Sequence, residues 1–295
     1  MYITILYGGQ GAERAVSLAS GLRVAEALID RGHRVHIFDF SGILENAMLP
    51  FLRDADAVFL ALHGDVGEGG ALQAMLEEAG IKHYTGSTQK GAMLAMNKAL
   101  AKKAVKSAGL PVTTDWVWQA EQSLPSAPLP LVLKPLCGGS SVGLVIAREE
   151  KDLTAISPKE PMLIEPLLVG REYTVGILNG QPLPVVEIRP QGGVYDYRRK
   201  YTVGEAEEIC PAPIPARETD RLQKWAKEAF HSLSLRDFAR IDFKEDEDGI
   251  PHFLEANTLP GMTKTSLLPL AAEKAGIAFP LLCEQIALLA AKRKK

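Results

Sequence analysis

The first third of the chain alternates short apolar runs closed by glycine with segments of helical period, and few folds satisfy that pattern. Ile3-Thr-Ile-Leu-Tyr7 ends at Gly8-Gly9, and Arg34-Val-His-Ile-Phe-Asp39 and Ala57-Val-Phe-Leu-Ala-Leu62 follow. Between and after them, residues 15–31, closed by Gly32, and 72–79, closed by Gly80, space their apolar side chains as helices. Strands separated by helices imply a parallel sheet with covered faces. Such sheets place ligands beyond the carboxyl ends of their strands, where Gly8, Gly9, His63 and Gly64 stand.

A second unit opens near Tyr84-Thr-Gly-Ser87. Residues 92–108 have helical character and stop at Gly109 before Pro111. A three-proline connector at 123–130, a strand at 129–134, a small-residue loop at 138–143 and a strand at Val145-Ile146 follow. A third unit starts near Met162, with strands predicted at 173–178 and 183–188, a long loop at 189–213 and an amphipathic helix at 217–233. Strands at 238–243 and 252–257 and a final apolar helix complete it.

Composition narrows the function. With 295 residues, 46% of them hydrophobic, the chain can bury several cores without disulfides or metals. A net charge of −3 gives no basic footprint for nucleic acid, and the basic 292–295 tail reads as a solvated helix end. Cys137, Cys210 and Cys283 are few, odd in number and far apart, which points to a reducing cytosol, and no Cys-x-x-Cys pair suggests zinc. Neither a signal-peptide pattern nor a long apolar span is present, so a cytoplasmic protein without a membrane partner is expected.

Four clusters can carry chemistry. In Lys134-Pro-Leu-Cys-Gly-Gly-Ser-Ser-Val-Gly143 a lysine at a strand end leads into glycines and serines. Glycine lets backbone approach a phosphate, N–H groups and hydroxyls bond its oxygens, and lysine adds charge. A flexible hairpin turn has the same composition, and the P-loop pattern occurs nowhere. Arg240-Ile-Asp242 and Glu255-Ala-Asn257 lie on predicted strands, where period-two alternation puts each pair on one face. Two adjacent strands would converge two carboxylates and an amide oxygen, hard ligands suited to Mg²⁺ between protein and phosphates, with Arg240 beside them to neutralise charge. A plain ion pair between Arg240 and a carboxylate is the alternative.

Leu259-Pro-Gly-Met-Thr-Lys-Thr-Ser266 joins a Pro260-Gly261 turn to hydroxyls that either cap the following helix or bind a carboxylate at its N-terminus. Gly8-Gly-Gln-Gly-Ala-Glu-Arg-Ala-Val-Ser17, with Asp39 ending the next strand, invites a dinucleotide reading. Arg14 stands where the third glycine is required, which argues against it. Glu13, near a helix start, is either a dipole partner or the holder of a substrate ammonium.

These segments, together with His63-Gly-Asp-Val-Gly-Glu-Gly-Gly70, Glu165, Gly170-Arg-Glu172 and Tyr195-Asp-Tyr-Arg-Arg-Lys-Tyr201, occur in an order that resembles the D-alanine–D-alanine ligase family of the ATP-grasp superfamily over nearly the whole chain. The resemblance implies an α/β fold of three-domain ATP-grasp architecture. An N-terminal parallel-sheet domain would span 1–86, a central domain 87–164 and a C-terminal catalytic domain 165–295, with ATP between the last two. It also implies a reaction. One D-alanine carboxylate takes the γ-phosphoryl group of ATP, and the amine of a second D-alanine attacks the acyl phosphate. Positioning and charge neutralisation suffice for such transfers.

By position, Lys98 and Lys134 match the lysines on the ATP phosphates, and Glu165 and Glu172 match residues binding adenine and ribose. Asp242, Glu255 and Asn257 match the Mg²⁺ ligands; two ions are expected, with Mn²⁺ as a substitute. Glu13 matches the carboxylate on the first substrate's ammonium, with His63 beside that subsite. Arg240 and the Gly261 N–H match the oxyanion stabilisers, and Ser266 the group gripping the second substrate's carboxylate. Ser140, Lys200 and Tyr201 match the groups that close a mobile loop, here 189–213, against water. Relatives that make D-alanyl-D-lactate lack a tyrosine matching Tyr201, so D-alanine is favoured as second substrate. The family is usually dimeric, so a homodimer is expected.

The chain departs from the family at Gly69, where aspartate is usual, at Asn97 in place of aspartate, at Gly138, where an acidic residue is common, and at Thr265, where some members have histidine. These departures leave two rivals: a ligase of the same superfamily making another dipeptide or depsipeptide, and a catalytically silent nucleotide-binding protein. The intact Lys134, Arg240, Asp242, Glu255 and Asn257 count against the second.

Overall fold

In the computed structural model the first apolar runs become β1 (Tyr2–Gly8), β2 (Arg34–Phe40) and β3 (Ala57–Ala61), interleaved with α1 (Arg14–Asp30) and α2 (Leu49–Asp54) and followed by α3 (Asp65–Glu68) and α4 (Ala71–Glu78). The structure describes residues 1–119, 122, 124, 127–139, 142–154, 156, 159–190 and 206–294. The strands pair in parallel in the order β2-β1-β3. All five residues of β3 are buried, as a strand covered on both faces requires.

The segment predicted as one helix over 92–108 is two, α5 (Gln89–Met96) and α6 (Lys98–Ser107). Asn97 separates them in an extended conformation, and its side-chain oxygen accepts the Leu100 N–H at 3.0 Å. That bond caps α6 and ends α5 in the same residue. β4 (Trp116–Trp118), β5 (Leu131–Pro135), β6 (Val145–Ala147), α7 (Glu150–Thr154) and β7 (Met162–Pro166) follow. Their strands form an antiparallel sheet, β4-β7-β5-β6, over a small core that includes Trp118, Leu133 and Ile164.

The third sheet is built by β8 (Glu172–Leu178), β9 (Gln181–Pro182), β10 (Val186–Pro190), β11 (Ala206–Ile209), β12 (Phe238–Glu245) and β13 (Pro251–Asn257), with α8 (Ala216–Ser232) between β11 and β12. Its order is β11-β10-β8-β12-β13, with β9 on β8. β11 falls inside the predicted loop. Its sequence, Ala-Glu-Glu-Ile, lacks apolar alternation, and it becomes a strand by pairing with β10 at the sheet edge. α8 buries Leu222, Ala226, Ala229 and Phe230, and shares a core with α6, β8, β12 and β13.

The predicted final helix is two, α9 (Leu267–Lys274) and α10 (Phe279–Ala291), set at 105° to each other. They return to the first sheet, where Leu282, Ile286 and Ala287 join Leu28 and Leu60 in one core. Among the described residues no single helix is long and apolar enough to cross a membrane.

Candidate active site

Lys134 lies near the end of β5 beside β7, which carries Glu165. The Lys134 ammonium stands 2.5 Å from one Glu165 oxygen; Lys102 Nζ at 2.7 Å and the Thr113 hydroxyl at 2.9 Å donate to the other. Burial would raise the Glu165 pKa, but the two ammonium groups overcome it and hold the carboxyl down at about 2. Burial lowers the Lys134 pKa, yet Glu165 outweighs it, so the group stays charged. Glu165, predicted against adenine and ribose, thus has both oxygens engaged by neighbouring side chains. Lys98 donates to the Gly138 carbonyl at 2.6 Å and ties α6 to the glycine loop. Glu172 accepts from Lys244 Nζ at 2.9 Å, and both line the recess shared by Lys98, Lys134, Asp242 and Glu255. Lys102 and Lys244 escaped the sequence reading. The signal for Lys102 was its i+4 spacing from Lys98 on a face shared with the buried Ala101 and Val105.

β12 and β13 meet in a register that sets Arg240 opposite Asn257 and Asp242 opposite Glu255, with an irregularity just after Asp242. The two strands therefore carry the four predicted residues as two rungs of one face, with the Ile241–Ala256 rung between them. Asp242 is buried, and the ion pair with Arg240 that the sequence offered as the alternative is formed. Arg240 grips it with Nε and a terminal nitrogen, both at 2.9 Å; the Thr174 hydroxyl donates at 2.6 Å and the Asn257 amide at 3.0 Å. The donor set suits Mg²⁺: two carboxylates, with the Asn257 amide oxygen left on the side away from the Asn257–Asp242 bond. Among the described residues no three His, Cys, Asp or Glu side chains group to hold a metal alone.

A second recess adjoins the first, and Gly139 lines both. Glu13, His63, Glu68, Arg240, Gly261 and Ser266 face it. Glu13 precedes α1 and makes no capping bond. Its carboxylate presses on Gly64, where an added Cβ would stand 2.4 Å from Oε2 and where φ is +72°. Only glycine accommodates both conditions. Ser266 does not cap α9 with its side chain; its hydroxyl accepts the Thr263 N–H at 2.9 Å and pairs with the Thr263 hydroxyl at 2.8 Å. Asp39 is taken by the Arg14 guanidinium, which removes the carboxylate a dinucleotide ribose would need. Ser140, Lys200 and Tyr201 lie outside the described residues, as does most of the predicted 189–213 loop.

The family model described as D-ala D-ala ligase C-terminus matches residues 97–288. A D-alanine–D-alanine ligase of Methylacidiphilum infernorum (isolate V4) is 39% identical over 290 residues, covering 97% of this chain and 94% of that protein. The chain belongs to the D-alanine–D-alanine ligase family. A D-alanine–D-alanine ligase of Bacillus anthracis, solved in complex with ATP, matches it at a TM-score of 0.85 and 30% identity, over 100% of this chain and 98% of that one. The VanG D-Ala:D-Ser ligase of Enterococcus faecalis matches at 0.80 and 25%, over 98% and 99%. The fold is accordingly the α/β ATP-grasp fold of this ligase family.

Three departures from the ligase pattern have local physical reasons. A Cβ at Gly69 would stand 2.4 Å from Asp65 Oδ1, so the Asp65 carboxylate fills the space a side chain at 69 would take. Gly138 has a φ of +115°, a conformation an acidic residue there would adopt only under strain. Asn97 supplies the same cap an aspartate would.

Proposed function

We propose that this protein joins two molecules of D-alanine into D-alanyl-D-alanine, converting ATP to ADP and phosphate, and so supplies peptidoglycan synthesis in the cytoplasm. The observation that carries this reading is the adjacency of the two recesses. A lysine-lined recess bordered by the Asp242–Glu255 rung meets, at Gly139, a recess bordered by Glu13 and Ser266.

In this reading Lys98 and Lys134 bind the phosphates, Glu172 faces the nucleoside, and Glu165 contributes by holding Lys134. Asp242, Glu255 and Asn257 hold Mg²⁺, two ions in all, with Mn²⁺ able to replace it. When bound, the metal neutralises phosphate charge. Glu13 takes the ammonium of the first D-alanine, whose carboxylate oxygen bonds the γ-phosphorus as the bond to the β,γ-bridging oxygen breaks. The second D-alanine, gripped at its carboxylate by Ser266, attacks as the neutral amine through its nitrogen, and the proton that the nitrogen loses leaves on the departing phosphate. An oxyanion develops on the former carbonyl oxygen, within reach of Arg240 and the Gly261 N–H, and collapses as phosphate leaves. Ser140, Lys200 and Tyr201 close the site, and Tyr201 selects the second substrate. We assign domain limits of 1–86, 87–164 and 165–295, and a homodimer without nucleic-acid or membrane partners, on family membership.

A second reading, a ligase with D-serine as second substrate, is favoured by the likeness to the D-Ala:D-Ser ligase. Phosphate release from Mg·ATP with D-alanine, L-alanine, D-serine and D-lactate, with product masses recorded, tests both. D-alanyl-D-alanine with D-alanine alone supports the first, and a D-alanyl-D-serine mass at comparable rate supports the second. No release with any of the four sinks both.

A further inference from the structure

Glu68 belongs to the His63–Gly70 motif, yet the proposed reaction gives it no part. Its carboxylate is half-buried where the 64–68 segment meets the 259–262 turn. One oxygen accepts the Gly64 N–H at 3.2 Å, and the other accepts the Leu259 N–H at 3.0 Å, across 191 positions of sequence. His63 reaches the same residue from the other side: its Nδ1 donates to the Leu259 carbonyl at 3.0 Å. Burial lowers the His63 pKa, so the ring is neutral and its Nε2 accepts from the Ser20 hydroxyl at 3.0 Å. The Ser20 oxygen in turn accepts the Met262 N–H at 3.2 Å.

The 259–262 turn is therefore gripped on both sides of Gly261 by side chains of the first unit. Pro260, with its fixed φ, links the gripped Leu259 to Gly261. Among the described residues nothing accepts the Gly261 N–H. Both ring nitrogens of His63 are spent on this network, which leaves it no donor or acceptor for substrate.

We propose that Glu68 and His63 are positioning residues that act through Leu259, fastening the 259–262 turn to the first sheet and so fixing where the Gly261 N–H points. The proposal rests on the reading of Gly261 as an oxyanion donor. Burying a carboxylate is costly, and two backbone N–H groups repay only part of it. Burial, aided by repulsion from Glu13, pushes the Glu68 carboxyl up to about 7, against the pull of the N–H groups and Arg240. A side chain kept at that cost on two separate loops is suited to holding them in register.

The test is Glu68→Gln, an isosteric change that sets an amide N–H against one of the two backbone donors, with Ser20→Ala as a milder second variant. Two readouts are needed. Hydrogen–deuterium exchange of the peptide covering 259–266 should accelerate about tenfold in the variant, with the rest of the map unchanged. Dipeptide kcat should fall about 100-fold while the KM for ATP stays within about twofold, the pattern of a lost or misplaced transition-state donor. D-alanine-dependent positional isotope exchange in labelled ATP, which reports the first step alone, should survive.

Unchanged exchange of the 259–266 peptide with kcat within about threefold of wild type would overturn the proposal. So would equal loss of both steps together with a lowered melting temperature, the mark of a merely structural role. If the wild-type protein makes no dipeptide, the functional reading fails, and the exchange measurement still decides whether the brace exists.

Discussion

Glu165→Gln removes one negative charge from between two buried ammonium groups. The Lys102 side chain is 1% exposed, Lys134 12% and Glu165 6%, so water cannot replace the lost partner. The new amide accepts from one lysine through its oxygen and turns N–H donors towards the other. Removing one member of a buried pair costs about 3–5 kcal/mol. At roughly 2–3 °C per kcal/mol for a chain of this size, the melting temperature should fall by about 6–15 °C. Calorimetric melts of the wild type, Glu165→Gln, Lys102→Met and the double variant measure this directly. The double variant no longer strands a second cation, so it should be more stable than the sum of the singles by about 0.5–3 kcal/mol. Nucleotide titrations separate the roles: a holder of Lys134 weakens ATP far more than AMP, whereas an adenine contact weakens both alike. A melting temperature within about 2 °C of wild type, with additive doubles, would refute the reasoning.

Asp242→Asn and Glu255→Gln should each abolish turnover, because metal neutralisation supplies several kcal/mol to phosphoryl transfer; Asp242→Asn, which also breaks the buried pair with Arg240, should lower the melting temperature as well, and near-normal activity in either would sink the metal assignment. In Gly261→Ala the added Cβ would stand 2.6 Å from Ser266 Oγ and must displace it. The KM for the second amino acid should rise about tenfold, and an unchanged KM would remove Ser266 from that subsite. The Glu165 carboxyl is held near 2, below the usual carboxylate range, so its contribution to stability is present above about pH 4.3 and is lost as pH falls towards 2. Urea unfolding between pH 6 and 2 should show wild type losing more stability than Glu165→Gln in that window, and parallel curves would contradict it.

The two pairs were legible because strand alternation forces Arg240 with Asp242, and Glu255 with Asn257, onto shared faces. Their cross-strand register was not, since pairing is decided by the folded sheet. The parallel first sheet was legible for the same reason as its glycine stops. What stayed hidden was set by tertiary pairing. Lys102 reads as one more helix-surface lysine until Glu165 is seen buried against it. The break at Asn97 reads as continuous helix until its side chain is seen capping Leu100. β11 has no pattern of its own and exists as a strand because β10 offers an edge. Glu68 was within view as part of a motif, but its two backbone partners come from loops that only the fold brings together.

The packing of α10 on the first sheet has a consequence for synthesis. Residues 2–61 carry every strand of that sheet, but Leu282, Ile286 and Ala287, which complete its core, emerge from the ribosome roughly 220 residues later. Until then the nascent sheet exposes the apolar surface that α10 will cover. At a translation rate of about 5–20 residues per second, that exposure lasts on the order of 10–40 s. Loss of α10 would therefore uncover the first sheet, at the other end of the sequence, and not the elements it follows.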